Sequence, residues 1–101
     1  MTTDFDINNL NKVFESRIRL GVMSVLSVNE SADFNMLKDL LKVTDGNLAS
    51  HISALEKCNY ITVAKDFVGK KTRTTYTISD EGRSAFLFHL ESLETMITQN
   101  R

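Results

Sequence analysis

The spacing of apolar residues changes twice along this chain, and these two changes constrain the fold more than any other feature of the sequence. Apolar residues recur every three to four positions as far as Cys58, alternate with polar ones between Ile61 and Ile78, and return to helical spacing after Ser79. A period near 3.6 is typical of an amphipathic helix, and a period of two is typical of a strand. The chain therefore predicts helices, then a β-hairpin, then a final helix.

The first part of the chain predicts two helical segments and a loop. The spacing is helical over about residues 8–28, and Arg17 and Arg19 indicate a break or kink between a short first helix and a longer one. A polar loop is expected at Asn29–Asp33. A short helix is then expected over about Asn35–Lys42, with its first asparagine as the N-cap.

A third helix is expected over about residues 44–58. Thr44 is a good N-cap, and Asp45 in the first turn suits the positive end of the helix dipole. The apolar side of this helix is one narrow stripe, formed by Leu48, Ile52 and Leu55.

A β-hairpin and a last helix complete the predicted order of elements. The alternation runs over about residues 61–78 and is interrupted at Gly69–Thr72, which predicts two antiparallel strands joined by a basic loop. Ser79 is expected to cap a C-terminal helix over about 80–98. The predicted fold is therefore α+β and mainly α: a helix-turn-helix, a small antiparallel β-hairpin and terminal helices.

Length, charge and cysteine content set the class of the protein. The 101 residues are expected to form one domain over residues 1–101, because two separate cores would each be too small. The formal net charge of −1 gives no global support to nucleic-acid binding. The single cysteine, Cys58, excludes an intramolecular disulfide. The polar N-terminus and the short apolar runs predict neither a signal peptide nor a membrane span, so a cytoplasmic location is expected.

The third predicted helix has an outward face that suits contact with DNA bases. In a helix-turn-helix, two short helices pack crosswise and the second enters the major groove. The outward side chains are small or form hydrogen bonds, as contact with base edges requires. The predicted base-reading residues are Asn47, Ser50, His51 and Ala54. Taken alone, this face is more typical of a solvated surface helix, and it gains weight only together with the hairpin.

Basic residues are concentrated around that hairpin. Between Thr44 and Arg73 the chain carries five basic and three acidic residues, whereas the remainder has a net charge of −3. Phosphate contacts supply most of the affinity in protein–DNA complexes and fix the register. Gly46 is included because a helix start without a side chain lets its N–H groups approach a phosphate. The residues predicted to contact the DNA backbone are Thr44, Gly46, Lys57, Lys65, Lys70, Lys71 and Arg73. A solvated basic loop is the alternative.

Three segments carry a resemblance to a known family: SRIRLGVMSVL, FNMLKDLLKVTDGNLASHISALEKCNYI and FVGKKTRTTYTISDEGR. From about Asn8 to Ile97 the chain resembles the single-domain winged helix-turn-helix transcriptional regulators related to the MarR and ArsR groups. The resemblance implies sequence-specific binding of double-stranded DNA and regulation of transcription. It implies a recognition helix at about Thr44–Cys58 and a wing at about Phe67–Thr74. It also assigns Arg19 to the DNA backbone and a short strand to Asp33-Phe34.

The last helix carries a wider apolar stripe than one wall of a small core needs, which predicts a homodimer. Packing of this stripe within one chain is the alternative. The residues predicted at the dimer interface are Phe5, Ile7, Leu10, Phe14, Leu87, Leu90, Leu93, Met96 and Ile97. A two-fold dimer would place its recognition helices one DNA turn apart, roughly 34 Å, which implies a pseudo-palindromic operator.

Other chemistry has little support in the sequence. The histidines His51 and His89 and the thiol of Cys58 are too widely spaced to predict a metal site, and no motif predicts a cofactor or an enzyme. Cys58 is expected to be a small buried hydrophobe, with a redox-sensing thiol as the alternative, and His89 to be structural or exposed. The competing interpretation is a winged-helix module for protein–protein contact without DNA affinity, which the net charge favours.

Overall fold

Helices and a small sheet follow one another in the predicted order. The computed structural model describes residues 6–99. Two 3₁₀ helices, Ile7–Asn9 and Lys12–Glu15, come first. The remaining elements are α1 (Arg17–Val28), β1 (Ala32–Asp33), α2 (Phe34–Leu41), α3 (Asp45–Lys57), β2 (Ile61–Val68), β3 (Lys71–Ile78) and α4 (Asp80–Gln99). The predicted fold class, a mainly α winged helix-turn-helix with a hairpin wing, is therefore confirmed.

The segment before α1 is not the regular helix that its apolar spacing predicts. The Asn11 side chain accepts a hydrogen bond from the backbone nitrogen of Val13 at 2.9 Å, and Ser16 Oγ accepts one from that of Arg19 at 3.3 Å. These side chains supply local partners for backbone groups and so divide the segment. The predicted break is real, and it falls at Ser16, the N-cap of α1.

The start of α2 corrects two predictions. Asp33 Oδ1 accepts a hydrogen bond from the backbone nitrogen of Met36 at 2.8 Å, so Asp33 is the N-cap and the assignment of Asn35 was wrong. The predicted loop also contains β1, one residue earlier than the strand that the resemblance implied. Asp33 therefore ends a strand and caps a helix, and the helix begins at Phe34.

The connection between α2 and α3 is short and is spanned by an exposed ion pair. Lys42 ends α2 in the left-handed region with φ 55°. The Lys38 ammonium then contacts Asp45 Oδ1 at 2.7 Å, and this carboxylate raises the pKa of Lys38. Thr44 caps α3 as predicted, because its hydroxyl oxygen accepts a hydrogen bond from the backbone nitrogen of Asn47 at 3.4 Å. The ion pair between Lys38 and Asp45 thus connects the two helices across the turn of the helix-turn-helix.

The three strands form an antiparallel sheet in the order β1-β3-β2. The short β1 pairs only with Thr75 and Tyr76 of β3. The two long strands pair along their whole length, from Ile61 opposite Ile78 to Val68 opposite Lys71. The hairpin loop has two residues, and Gly69, the first of them, has φ +67°, the sign that a type II′ turn requires there.

The core lies between α1, α2, α3, the base of the hairpin and the first half of α4. Its fully buried members include Val22, Met23, Leu26, Leu37, Leu48 and Leu55. The prediction that Phe14 lies at a dimer interface was wrong, because this side chain is 3% exposed and packs inside the chain. Its ring centroid lies 5.5 Å from that of Tyr60, 5.8 Å from Phe86 and 5.2 Å from His89.

Candidate nucleic-acid interface

The outer face of α3 is polar and accessible. Leu48, Ile52 and Leu55 are buried as predicted, which turns the other side of the helix to solvent. Asn47 and Ser50 are exposed, and His51 and Ala54 are half-buried. These four predicted base-reading residues therefore share one accessible side of the helix.

His51 is joined to α1 by a hydrogen bond. Arg19 Nε donates to His51 Nδ1 at 3.0 Å, and both side chains are half-buried. The sequence assigned these residues separately, one to the DNA backbone and the other to the bases. Their direct contact was not foreseen, because they lie 32 positions apart and only the packing of α1 against α3 brings them together.

The start of α3 is open to an approaching group. Thr44 and Gly46 are both exposed, and a Cβ built on Gly46 would meet no atom within 4 Å. The protein interior therefore does not require a glycine here. A group from outside can approach the first N–H groups of α3, where the helix dipole favours negative charge.

The hairpin carries its basic residues on both faces and at its tip. Lys65 pairs with Thr74 in the register, on the face that leads to the core, whereas Arg73 pairs with Asp66 on the other face. Lys70 lies in the turn, and the four basic residues of the hairpin are all exposed. Arg73 Nε also lies 4.0 Å from Asp33 Oδ2, an exposed contact that contributes little to stability.

Several large apolar side chains of α4 are accessible. Ile97 is 63% exposed, Leu87 50% and Leu90 40%, whereas Leu10, Leu93 and Met96 are half-buried. Ile7, before α1, is also exposed. Of the predicted interface residues, Phe5 lies outside the described part of the chain.

A family model described as a winged helix DNA-binding domain matches residues 18–97. The chain belongs to this family. The matched residues contain nearly all of α1, the whole of α2, α3 and the hairpin, and nearly all of α4, which are the elements on which the candidate interface is built.

Two relatives share more than 30% of their aligned residues with this winged helix protein. A transcriptional regulator homologue from Pyrococcus horikoshii superposes with a TM-score of 0.76 at 31% identity, covering 92% of this chain and 97% of that one. An uncharacterised protein of Methanocaldococcus jannaschii is 36% identical over 75 residues, which are 74% of this chain and 82% of the relative. DNA binding in transcription regulation is therefore the class of function of this chain, and its resemblance to winged-helix regulators is confirmed.

A more distant structure shows the same fold. PadR of Bacillus subtilis, solved in complex with operator DNA, has a TM-score of 0.67 at 14% identity and covers 74% of this chain and 48% of that one.

Within residues 6–99 of the winged helix protein, none of the helices combines the length and apolar character that crossing a bilayer requires. The same residues contain no group of three or more acidic, histidine or cysteine side chains that could hold a metal ion.

Three accessible residues were missed in the sequence. Ser53 is exposed on the outer face of α3, three positions after Ser50, and helical spacing alone could have added it to the base-reading set. Phe88 is 52% exposed on α4, and Phe67 is 72% exposed near the tip of the wing.

Cys58 is half-buried rather than buried, and His89 is 5% exposed, inside the core.

Proposed function

We propose that this chain is a sequence-specific regulator of transcription that binds double-stranded DNA as a homodimer, with α3 in the major groove and the wing on the phosphate backbone. The accessible polar face of α3, opposite a fully buried apolar stripe, is the observation that carries this proposal. A helix that packs by one narrow stripe can place the rest of its circumference in a groove.

The side chains on α3 have the chemistry of base recognition. Asn47 can pair with adenine through two hydrogen bonds, Ser50 can donate or accept, and the methyl group of Ala54 can contact that of thymine. The start of α3 at Gly46 suits a phosphate, because no neighbouring atom blocks the approach to its N–H groups. Base reading and backbone anchoring would thus occur on one helix.

The wing supports the proposal through the distribution of charge. The stretch from Thr44 to Arg73 has a net charge of +2 in a chain of net charge −1, so positive charge is concentrated beside α3. Lys70 and Lys71 lie at the tip of a hairpin whose tight two-residue turn holds them close together. Such a pair can follow the backbone without reading sequence.

Dimerisation is supported by the exposed apolar side chains of α4. Leu87, Leu90 and Ile97 are too exposed to be explained by the core of one chain. A groove of about 660 Å³ between the first 3₁₀ helix and α4 exposes Ile7 and Phe88 as well. A symmetric interface on this side would present two copies of α3 to a pseudo-palindromic operator.

Fluorescence anisotropy with random-sequence duplex DNA over a series of salt concentrations tests the proposal. We expect the triple variant K70A/K71A/R73A to bind all sequences more weakly and to reduce the salt slope by about 0.9 for each lost phosphate contact. The control is the pair of single variants Lys70→Ala and Lys12→Ala, which remove the same charge inside and outside the proposed interface. Only Lys70→Ala should reduce the salt slope, by about 0.9.

A winged-helix module for protein–protein contact is the second candidate, and the net charge of −1 favours it. Under that alternative, the wild-type chain would bind no duplex even at low salt, and the wing variants would have no affinity to lose. Equal effects of the Lys70 and Lys12 variants would contradict the assignment of the wing, because the charge would then act only through the net charge of the protein.

A further inference from the structure

The hydrogen bond between Arg19 and His51 determines which nitrogen of the imidazole carries the proton. An arginine Nε always bears a hydrogen and has no lone pair to offer, so it can only donate. His51 Nδ1, 3.0 Å away, must therefore be the acceptor and is unprotonated. In the neutral ring the single proton then lies on Nε2, on the side of the ring away from Arg19.

The position of His51 makes this choice relevant to DNA. It lies one helical turn after Asn47 at the edge of the outer face of α3, and the residue is half-buried rather than enclosed in the core. The other histidine, His89, contrasts with it, because it is 5% exposed and packs within the core against Phe14. His51 is therefore the histidine whose free ring nitrogen can meet a base edge.

We propose that Arg19 is a positioning residue that fixes the His51 tautomer, so that His51 presents a hydrogen-bond donor to the major groove and prefers guanine to cytosine. This inference rests on the proposed function, since it specifies how α3 reads one base. In the major groove, guanine presents two neighbouring acceptors, N7 and O6, whereas the amino group of cytosine is a donor. A ring fixed with its proton on Nε2 can donate to these guanine acceptors but has no acceptor to offer the cytosine amino group.

The same bond connects α1 to sequence reading. It uses Nε, which is one of the three guanidinium nitrogens of Arg19. The two terminal nitrogens carry the remaining donors, which suit a phosphate oxygen. Arg19 would thus hold the backbone and orient a base-reading side chain at the same time, and its loss would change specificity as well as affinity.

Two variants separate the donor from the charge. Arg19→Gln places an amide nitrogen at the same number of bonds from Cα as Nε, whereas Arg19→Met places a methyl group there. Both remove one positive charge, and only glutamine can donate to His51 Nδ1. We expect both variants to lose the same increment of salt slope, about 0.9 if Arg19 contacts a phosphate. Only Arg19→Met should lose the guanine preference.

The first measurement is made without DNA. Nitrogen NMR of the histidine rings in the free protein, at a pH where the rings are neutral, should show His51 protonated on Nε2 in the wild type and in Arg19→Gln. In Arg19→Met it should show a mixture of the two tautomers. A mixture already in the wild type would overturn the inference and leave the proposed function untouched.

The second measurement is selection from a random duplex library, followed by affinities on the selected duplex and on a copy with the guanine replaced by cytosine. We expect about a tenfold preference for guanine at one position of each half-site in the wild type and in Arg19→Gln. In Arg19→Met this preference should fall close to one. An equal preference in all three proteins would overturn the inference. If the wild type selects no sequence at all, the inference falls together with the proposed function.

Discussion

Two glycines in the first turns of helices have opposite surroundings. A Cβ on Gly82, in α4, would overlap the backbone carbonyl of Tyr60 and lie 2.8 Å from its Cα, whereas one on Gly46, in α3, would meet nothing. The start of α4 is held against this backbone, because the nitrogen of Ser79 donates to the carbonyl oxygen of Tyr60 at 3.0 Å. Only a glycine at position 82 permits this approach.

We expect Gly82→Ala to lower the free energy of unfolding by about 1–3 kcal/mol, because the backbone of Tyr60 cannot move aside as a flexible side chain would. Urea unfolding measures the change. The matched control is Gly46→Ala, which should instead raise stability by about 0.5–1 kcal/mol through helix propensity. Equal effects of the two variants would show that the contact with Tyr60 has no energetic consequence.

The control variant, Gly46→Ala, also tests a predicted contact with DNA. If the open start of α3 receives a phosphate, the added methyl group of Gly46→Ala would lie between the helix and the DNA. We then expect a more stable protein with weaker affinity for every duplex, measured by the same anisotropy titration. Unchanged affinity would remove Gly46 from the set of backbone contacts.

At the scale of elements, α4 and the segment before α1 are held together by a buried histidine. His89 Nδ1 accepts a hydrogen bond from the backbone nitrogen of Asn11 at 3.0 Å, and Asn11 Nδ2 donates to the Tyr60 hydroxyl at 2.9 Å. Burial lowers the pKa of His89, while the negative charge of Glu15 acts in the opposite direction. The neutral ring is therefore the form that the folded chain holds.

This arrangement predicts a loss of stability in mild acid. Because the folded protein binds the His89 proton less readily than the unfolded chain, the contribution is fully present above the ordinary pKa of 6.5 and decreases as the pH falls from there toward the folded pKa. Urea unfolding at several pH values should show this decrease, and His89→Asn, which keeps an acceptor near Asn11, should reduce it. The matched control, His51→Asn, leaves His89 in place and should therefore keep the decrease in stability that His89 causes. A pH dependence identical in wild type and His89→Asn would contradict the prediction.

The elements that could be predicted from the sequence are those specified by local signals. Thr44 and Ser79 cap α3 and α4 as expected, and the alternation over the hairpin matches its register. The strand β1 has only two residues and exists because β3 offers it a partner, so no local pattern could reveal it. Asp33 was missed as a cap for the same reason, since the strand determines where α2 starts.

Burial within the amphipathic segments was harder to predict. Phe14 and Leu10 have the same spacing and character in the sequence, yet the aromatic cluster with Tyr60, Phe86 and His89 takes the first into the core. This cluster joins three distant parts of the chain, which meet only through tertiary packing. The base-reading face was simpler, because the buried stripe of α3 determines its opposite side.

At the scale of the whole molecule, the chain is elongated, with principal extents of 61 × 25 × 21 Å. No buried residue follows Ser92 among the described residues of α4. The later turns of this helix therefore contribute little to the core of one chain, and an interface with a second copy would give them an apolar partner.

We expect Leu87→Glu to shift the protein toward a monomer and to weaken operator binding, because a carboxylate would be desolvated at the interface. Light scattering after size-exclusion chromatography, over a range of concentrations, measures the change. Ser84→Glu adds the same charge at an exposed polar position of α4 and should have a smaller effect. A wild-type protein that is monomeric at tens of micromolar would contradict the proposed dimer.

The sheet order β1-β3-β2 leaves the whole of β2 at an open edge. In its sequence, ITVAKDFV, the charged residues are Lys65 and Asp66 near the centre, and the others are apolar apart from one threonine. Unpaired apolar strand edges recruit further copies and aggregate, and an inserted charge prevents this. Lys65 and Asp66 therefore place charge on this edge strand, which disfavours pairing with another copy whether or not DNA is present.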